Sequence, residues 1–257
     1  MNPQQIVEQI TKEIENYIPG MSIDCVLMGY KEGRMHVLVL KFVNSDHWAL
    51  PGGFIKRDED MEFAARRVLH GRTGVDISYL QQLRAFGSVE RRQRNKFNSP
   101  IDYLPFDQKF KDFFNERFIS MAYLALVNPD SIQPVPDAFS EVCEWRPVDE
   151  VPSPLIYDHA EMIEYAREYI SQQIKYQPMG LSLMPEKFTM NELRGLYEAV
   201  LGVELDRANF QKKILKLGIL NRHEKQMTGA ANKAPYLYSF NEEKYKATLE
   251  RGLGFLS

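Results

Sequence analysis

The stretch that most limits what this chain can fold into is residues 48–75, WALPGGFIKRDEDMEFAARRVLHGRTGV. A short apolar run meets Leu50-Pro51-Gly52-Gly53, where proline and paired glycines interrupt any regular element. Asp58, Glu59 and Asp60 then place negative charge at the start of a helix predicted over roughly 58–70, the end of a helix that favours it. The flanks read as strands. SIDCVLMGY (22–30) and MHVLVLKFV (35–43) are rich in apolar and β-branched residues, and the link between them holds Gly33. Further strands are predicted around 80–89, 117–127 and 141–146. A helix over 158–175 puts Met162, Ile163, Ala166, Ile170 and Ile174 on one side. Strands interrupted by two long helices predict an α+β sandwich over about 20–175.

Past Gln177-Pro178-Met179-Gly180 the pattern changes. Thr189 followed by Glu192 has the spacing of a capping box, opening the helix MNELRGLYEAVLG, which Gly202 is placed to end. Asp206 caps a second helix, RANFQKKILKLG, stopped by Gly218, with Phe210, Ile214, Leu215 and Leu217 assigned to the core. A short strand, a Gly/Ala/Asn loop and the strand Tyr236–Phe240 follow. Helix, turn, basic helix and β-ribbon is the order of a winged helix-turn-helix. At 257 residues, with 44% hydrophobic and 26% charged side chains, the chain has room for two such cores.

The charge supports the division. The total is −3, which argues against a general nucleic-acid coat. Residues 186–257, however, hold 12 basic and 9 acidic residues, and residues 1–185 hold 20 and 26. The C-terminal part is therefore +3 and the rest −6. Within 206–240, seven cations face only Asp206 and Glu224, a local +5.

Several classes are excluded. No apolar run reaches the ~18–20 residues of a membrane span, and residues 1–19 have no signal-peptide core. Ile6, Ile10 and Ile14 there suggest an amphipathic lead-in helix. Cys25 and Cys143 lack metal-ligand spacing and read as reduced thiols of a cytoplasmic protein. The five histidines form no ligand pair, so neither a metal nor a cofactor is expected.

Residues 52–75 resemble the Nudix box, G-x5-E-x7-R-E-U-x-E-E-x-G-U with U apolar. Gly53, Glu59, Arg67, Leu69, Gly74 and Val75 fall on matching positions. Val68, Gly71 and Arg72 stand where the box has glutamates. Nudix enzymes split a diphosphate with Mg²⁺ held by those carboxylates, and a hard cation needs several oxygen ligands. Glu59 and Glu62 alone do not rebuild the cluster, which favours a pocket that binds without cutting.

Ala85-Phe86-Gly87, Arg117–Tyr123, Ile156-Tyr157-Asp158-His159, Phe188-Thr189-x-x-Glu192-Leu193, Leu196–Ala199, Asp206-Arg207-x-Asn209-Phe210 and Tyr236-Leu237-Tyr238-x-Phe240 extend the resemblance. Together they are similar to the bacterial Nudix-related transcriptional regulators of NAD metabolism or sugar catabolism. That resemblance implies an α+β chain in which a Nudix-like α/β/α sandwich with a mixed sheet (20–176) follows the lead-in (1–19). A linker (177–187) and a winged helix-turn-helix (188–257) complete it. It implies a ligand-responsive DNA-binding regulator. The rival reading is an Mg²⁺-dependent nucleotide-sugar pyrophosphohydrolase with an accessory C-terminal module.

A matching pocket sets Phe54, Lys56, Glu59 and Arg67 around its mouth and Arg84 near the next strand. The cations suit phosphate or sugar-phosphate oxygens. Asp158 suits an N-cap, or with His159 a sugar contact. Family precedent offers ADP-ribose or a sugar such as L-arabinose, and the expectation leans to a sugar or sugar phosphate.

In the reader, Arg207, Asn209 and Gln211 open the second helix and are the base-reading candidates. Lys212, Lys213 and Lys216 suit phosphates, and Lys233 the wing's contact with backbone or minor groove. One winged helix covers few base pairs, so a homodimer on a palindromic operator is expected. Residues 91–116 are atypical for the family: a basic run, then Phe106, Phe110, Phe113 and Phe114 at helical spacing. They suggest a helix packed on its own domain, or else a lid or dimer contact.

Overall fold

The computed structural model describes residues 12–91, 108–137, 139–226 and 234–251. Lys233, Phe106 and residues 1–11 of the expected lead-in helix lie outside them. The helical lead-in ends at Asn16, not at 19, because Tyr17 already begins a strand. Tyr17 and Ile18 favour extended backbone, and Pro19 cannot sit inside a helix.

The chain divides into two compact units, the first made of residues 1–28, 36–126 and 130–166 and the second of 29–35, 127–129 and 167–257. The first unit is built on a mixed sheet. Its strands are β1 (Tyr17–Lys31), β2 (Arg34–Phe42), β3 (Trp48–Ala49), β4 (Gly52–Lys56), β5 (Tyr79–Phe86), β6 (Ile119–Leu126) and β7 (Ser140–Pro147). The order is β3-β2-β1-β6-β5, with β4 also on β1 and β7 also on β2. β1 and β6 are parallel, in register from Met21↔Ile119 to Met28↔Leu126. β5 runs antiparallel to β6, and β4 antiparallel to β1. Ser22 to Gly29 on β1 are buried without a break. Neighbouring strand residues face opposite ways, so both faces of the sheet are covered there.

Helix α1 (Met61–Thr73) buries Ala64, Ala65, Val68 and Leu69 and ends on Gly74, left-handed at φ 69°. It starts later than its charges suggest. Asp58 and Glu59 precede it, and Asp60 is its N-cap. Helix α2 (Gln108–Asn115) is the helix expected from the phenylalanine spacing. Helix α3 (His159–Gln173) buries Met162, Ile163, Ala166 and Ile170, and Ile174 is buried just beyond its end. β5 stops at Phe86, short of 89, where Arg91 N–H bonds back to Ser88 O at 3.1 Å in a turn.

In the second unit, β8 (Phe188–Thr189) leads into α4 (Met190–Leu201), and α5 (Arg207–Lys216) is followed by β9 (Leu220–Lys225) and β10 (Tyr236–Phe240) in a sheet ordered β8-β10-β9. The capping box forms in both directions. Glu192 N–H donates to Thr189 Oγ1 at 3.2 Å, and Thr189 N–H to Glu192 Oε2 at 2.6 Å. Asp206 accepts from Asn209 N–H at 2.9 Å. Helix α6 (Glu242–Arg251) was not foreseen. Its anchor is Tyr245, buried with its ring 5.3 Å from that of Phe240.

Candidate effector pocket and nucleic-acid interface

The loop after β4 is closed by one carboxylate. Glu59 accepts from Arg67 through Nη2–Oε1 at 2.5 Å and Nε–Oε2 at 3.0 Å, and from Lys56 N–H at 2.8 Å. Arg67 also donates to Phe54 O at 2.8 Å. The Glu59 side chain is only 5% exposed. Burial raises its pKa, but the Arg67 and Lys56 hydrogen bonds outweigh that and hold it below the usual carboxylate range. The motif glutamate is thus occupied as a brace between loop and helix.

Two of the three departures from the box, Val68 and Arg72, have structural partners. Val68 is buried, and a Cβ added to Gly53 would come within 2.7 Å of Val68 Cγ2. Gly71 is exposed and has no side chain. Arg72 pairs with Asp137, and its carbonyl accepts from Val135 N–H at 2.9 Å, tying that segment to α1. Asp137 accepts in turn from Ser140 Oγ at 2.6 Å. A guanidinium occupies the place of a metal-binding carboxylate, so the residues present do not fit Mg²⁺.

Asp158 and His159, expected as an N-cap or a sugar contact, lie deep. They join Asp24, Arg91 and Ser120 in a buried cluster where β1, β6 and the turn after β5 meet the start of α3. Arg91 Nη2 donates to Asp24 Oδ2 at 2.9 Å, and Ser120 Oγ donates to the same oxygen at 2.6 Å. Arg91 Nε stands 3.1 Å from Asp158 Oδ1. His159 Nδ1 accepts from Leu50 N–H at 2.9 Å, which fixes the proton on Nε2, 3.4 Å from Asp24 Oδ1. Burial alone raises the Asp24 pKa, but His159, Arg91 and Ser120 together drive it well below the usual range. Burial raises that of Asp158. Gly52 is required beside this cluster, because a Cβ there would fall on Asp24 Oδ1.

Phe54 sits at the centre of an aromatic cluster. Its ring lies 4.9 Å from Phe113, 5.1 Å from Phe114, 5.3 Å from Phe118 and 5.5 Å from Tyr17. Helix α2 therefore packs on its own unit. Arg84 is exposed and stacks its guanidinium on Phe86 and Tyr165, at 4.4 and 4.5 Å. Lys56 is half-buried at the end of β4. Phe54, Lys56, Glu59 and Arg67 thus share one loop–helix corner, while Asp158 and His159 belong to the buried cluster.

On α5, Phe210 and Ile214 are buried, and Arg207, Asn209, Lys212, Lys213 and Lys216 are exposed. Gln211 is half-buried. Leu215, expected in the core, is 43% exposed. Phe210, Ile214 and half-buried Leu217 follow the i, i+4, i+7 line of the buried stripe, and Leu215 is a residue off it. A cleft of about 370 Å³ opens where α4, α5 and the ribbon meet, lined by Asn191, Arg194, Arg207, Gln211, Lys225 and Tyr236 among others. Arg194, Lys225 and Tyr236 were not among the expected site residues. Lys225 had a signal in the +5 charge of 206–240, and Arg194 on α4 and Tyr236 on the ribbon had none.

The NUDIX domain family model matches residues 19–166. The chain belongs to the NUDIX family. A second family model, the NrtR DNA-binding winged helix domain, matches residues 180–240 of this NUDIX protein. Over 244 residues it is 27% identical to the ADPR responsive transcriptional repressor NtrR of Acinetobacter baylyi, covering 92% of this chain and 88% of the relative. It is similar in structure to Shewanella oneidensis NrtR, with TM-score 0.68, 26% identity, and coverage of 88% of this chain and 96% of that one. The same protein complexed with a 27mer DNA gives TM-score 0.69 at 26% identity, with 88% and 95% covered. No helix among the described residues is long and apolar enough to cross a membrane.

Proposed function

We propose that this NUDIX protein is an effector-responsive transcriptional repressor that binds double-stranded operator DNA through its winged helix and senses an ADP-ribose-like metabolite with a NUDIX unit that does not cut it. The observation that carries the reading is the exposed basic face of α5, Arg207 to Lys216, in a chain whose box holds an Arg72–Asp137 pair in place of a metal carboxylate. The name of the Acinetobacter relative favours ADP-ribose over the sugar to which the sequence leaned. A role in sugar catabolism gains no support.

In this reading 20–176 is the sensor, 177–187 the linker and 188–257 the reader. Lys56, Arg84 and the remaining N–H groups of Arg67 meet the effector's phosphates, and Phe54 offers an apolar wall. Glu59, Asp158 and His159 hold the corner and the cluster beneath it. Arg207, Asn209 and Gln211 read bases, and Lys212, Lys213, Lys216 and Lys233 meet phosphates. The active form is a cytoplasmic homodimer on a palindrome. ADP-ribose lowers operator affinity by binding the DNA-incompetent state more tightly.

The test is a thermal-shift series of the full chain with ADP-ribose, pentoses and pentose phosphates, followed by binding to DNA from its own upstream region. ADP-ribose is expected to raise the melting temperature and weaken DNA binding. Mg²⁺-dependent turnover of ADP-ribose that Glu59→Gln abolishes, in a protein that binds no DNA, would establish the hydrolase instead.

A further inference from the structure

The ribbon carries a feature that base reading by α5 does not use. In a regular strand Arg222 and Lys225, three apart, point to opposite faces. Here β10 pairs Tyr236 with Lys225 and Tyr238 with Arg222, so three residues of β9 span what two of β10 span. That is a β-bulge, and it turns both cations onto one ring. The Arg222 guanidinium lies 3.5 Å from the Tyr236 ring centroid and the Lys225 ammonium 5.3 Å from it. Two like charges share a single aromatic platform. The nearby ribbon carboxylate, Glu224, is committed to Lys187 at 3.1 Å. Among the described residues no carboxylate pairs with Arg222 or Lys225.

Tyr236 and Lys225 also form one wall of the cleft whose other wall holds Arg194 and Arg207. Arg194 is pre-set. It donates to Leu205 O at 3.2 Å and to Asn191 Oδ1 at 3.1 Å, bracing the turn between α4 and α5. Arg194 also has Glu198 at 3.7 Å, but Arg222 and Lys225 have no such carboxylate among the described residues. Cations so placed beside a cleft fit an anion. The anion must be shallowly held and flanked by polar groups, as a phosphodiester is.

We propose that Arg222, Lys225 and Tyr236 form a backbone grip that seats one strand of the DNA duplex against the cleft and so fixes the angle at which α5 meets the groove. The grip rests on the DNA-binding reading above, and it assigns an anion site to residues outside the recognition helix. It contacts backbone alone. Its loss therefore weakens binding to every sequence alike, whereas loss of Arg207 or Asn209 blurs the choice between sequences.

The experiment measures binding of the full chain to a random-sequence duplex and to an operator selected with wild-type protein, across a salt series. For the pair Arg222→Ala and Lys225→Ala, the slope of log K against log salt should fall by about 0.9 for each lost phosphate contact, with the operator-to-random ratio unchanged. Tyr236→Phe should keep the slope, and Tyr236→Ala should reduce it. Melting temperatures within experimental error of wild type show that the fold is intact. An unchanged slope in the double variant overturns the grip while leaving the DNA reading standing. Wild-type protein that binds neither duplex overturns the DNA reading itself. Inorganic phosphate that stabilises wild type and not the double variant, at matched ionic strength and without competing with duplex, would mark a free-anion site and reject the grip.

Discussion

The Glu59 carboxylate takes the Nε and Nη2 edge of the Arg67 guanidinium, eight residues on, so the loop 53–59 is locked to α1 by a two-point ion pair. Because Lys56 N–H bonds the same carboxylate, the glutamate serves three donors and is nearly sealed from solvent. Glu59→Gln keeps the shape and removes the charge. It should lower stability by about 1–3 kcal/mol, since a charged hydrogen-bond partner is lost from a half-buried arginine. The pKa direction sets the pH dependence. Glu59 is depressed in the folded state, so its stabilisation is complete above the ordinary carboxylate value and is lost as pH falls through the folded one. Denaturant melts from neutral to acid pH should converge for wild type and variant. A gap that widens on acidification would contradict the pairing.

Arg72 tests the box from the other side. Arg72→Glu restores a carboxylate at a metal position, yet it faces Asp137, which already accepts from Ser140 Oγ and Phe139 N–H. Two partly buried carboxylates then repel, and the expected loss is about 2–4 kcal/mol. No Mg²⁺-dependent cleavage of ADP-ribose should appear, because Val68 and Gly71 still offer no oxygen. Activity gained by this one change would show that the remaining ligands suffice.

Arg91 holds two buried carboxylates apart. Arg91→Met retains the stem, takes the cation from Asp158 and leaves Asp24 only Ser120 and His159, for a loss of about 3–5 kcal/mol. The wild-type acid response contains opposed parts. Asp24 is depressed, so its contribution is present at neutral pH and fades as acid reaches its folded value. Asp158 is raised, so it favours the folded state more as pH falls through that raised value. Asp158→Asn should therefore remove the second part and make the fall in stability on acidification steeper. Melting curves across the acid range of the two proteins check this.

This cluster also marks the limit of what the chain reveals as a sequence. Helix α1, the capping box at Thr189 and Glu192, and the Asp206 cap were legible because each depends on residues within one or two turns. Both domain types followed from such local signals and from motif order. Asp24, Arg91 and Asp158 stand more than sixty residues apart in successive pairs, and only the sheet topology brings them together. Asp158 and His159 consequently offered only an N-cap or a sugar contact as sequence, with no sign of the cluster they join. The bulge at Arg222–Lys225 was hidden for a related reason. Strand register is a property of two strands, and an extra residue in one has no signature until its partner is known. Helix α6 is mostly charged, and its hold depends on Tyr245 meeting Phe240.

Asp206 separates helix capping from charge at the nucleic-acid face. It is exposed, accepts from Asn209 N–H at 2.9 Å and stands one residue before Arg207. Asparagine caps about as well as aspartate, while alanine costs about 0.5–2 kcal/mol of helix stability. A carboxylate at this position also opposes DNA phosphates, and salt screens that opposition over about 8–10 Å at ordinary ionic strength. Asp206→Asn should thus leave the melting temperature unchanged and tighten binding to random-sequence duplex at low salt, with the gain fading as salt rises. Asp206→Ala should lower the melting temperature, and its binding should carry the same gain in charge offset by a frayed first turn around Arg207. If Asp206→Asn weakens binding at low salt, the start of α5 does not approach a polyanion, and the orientation proposed for the recognition helix is wrong.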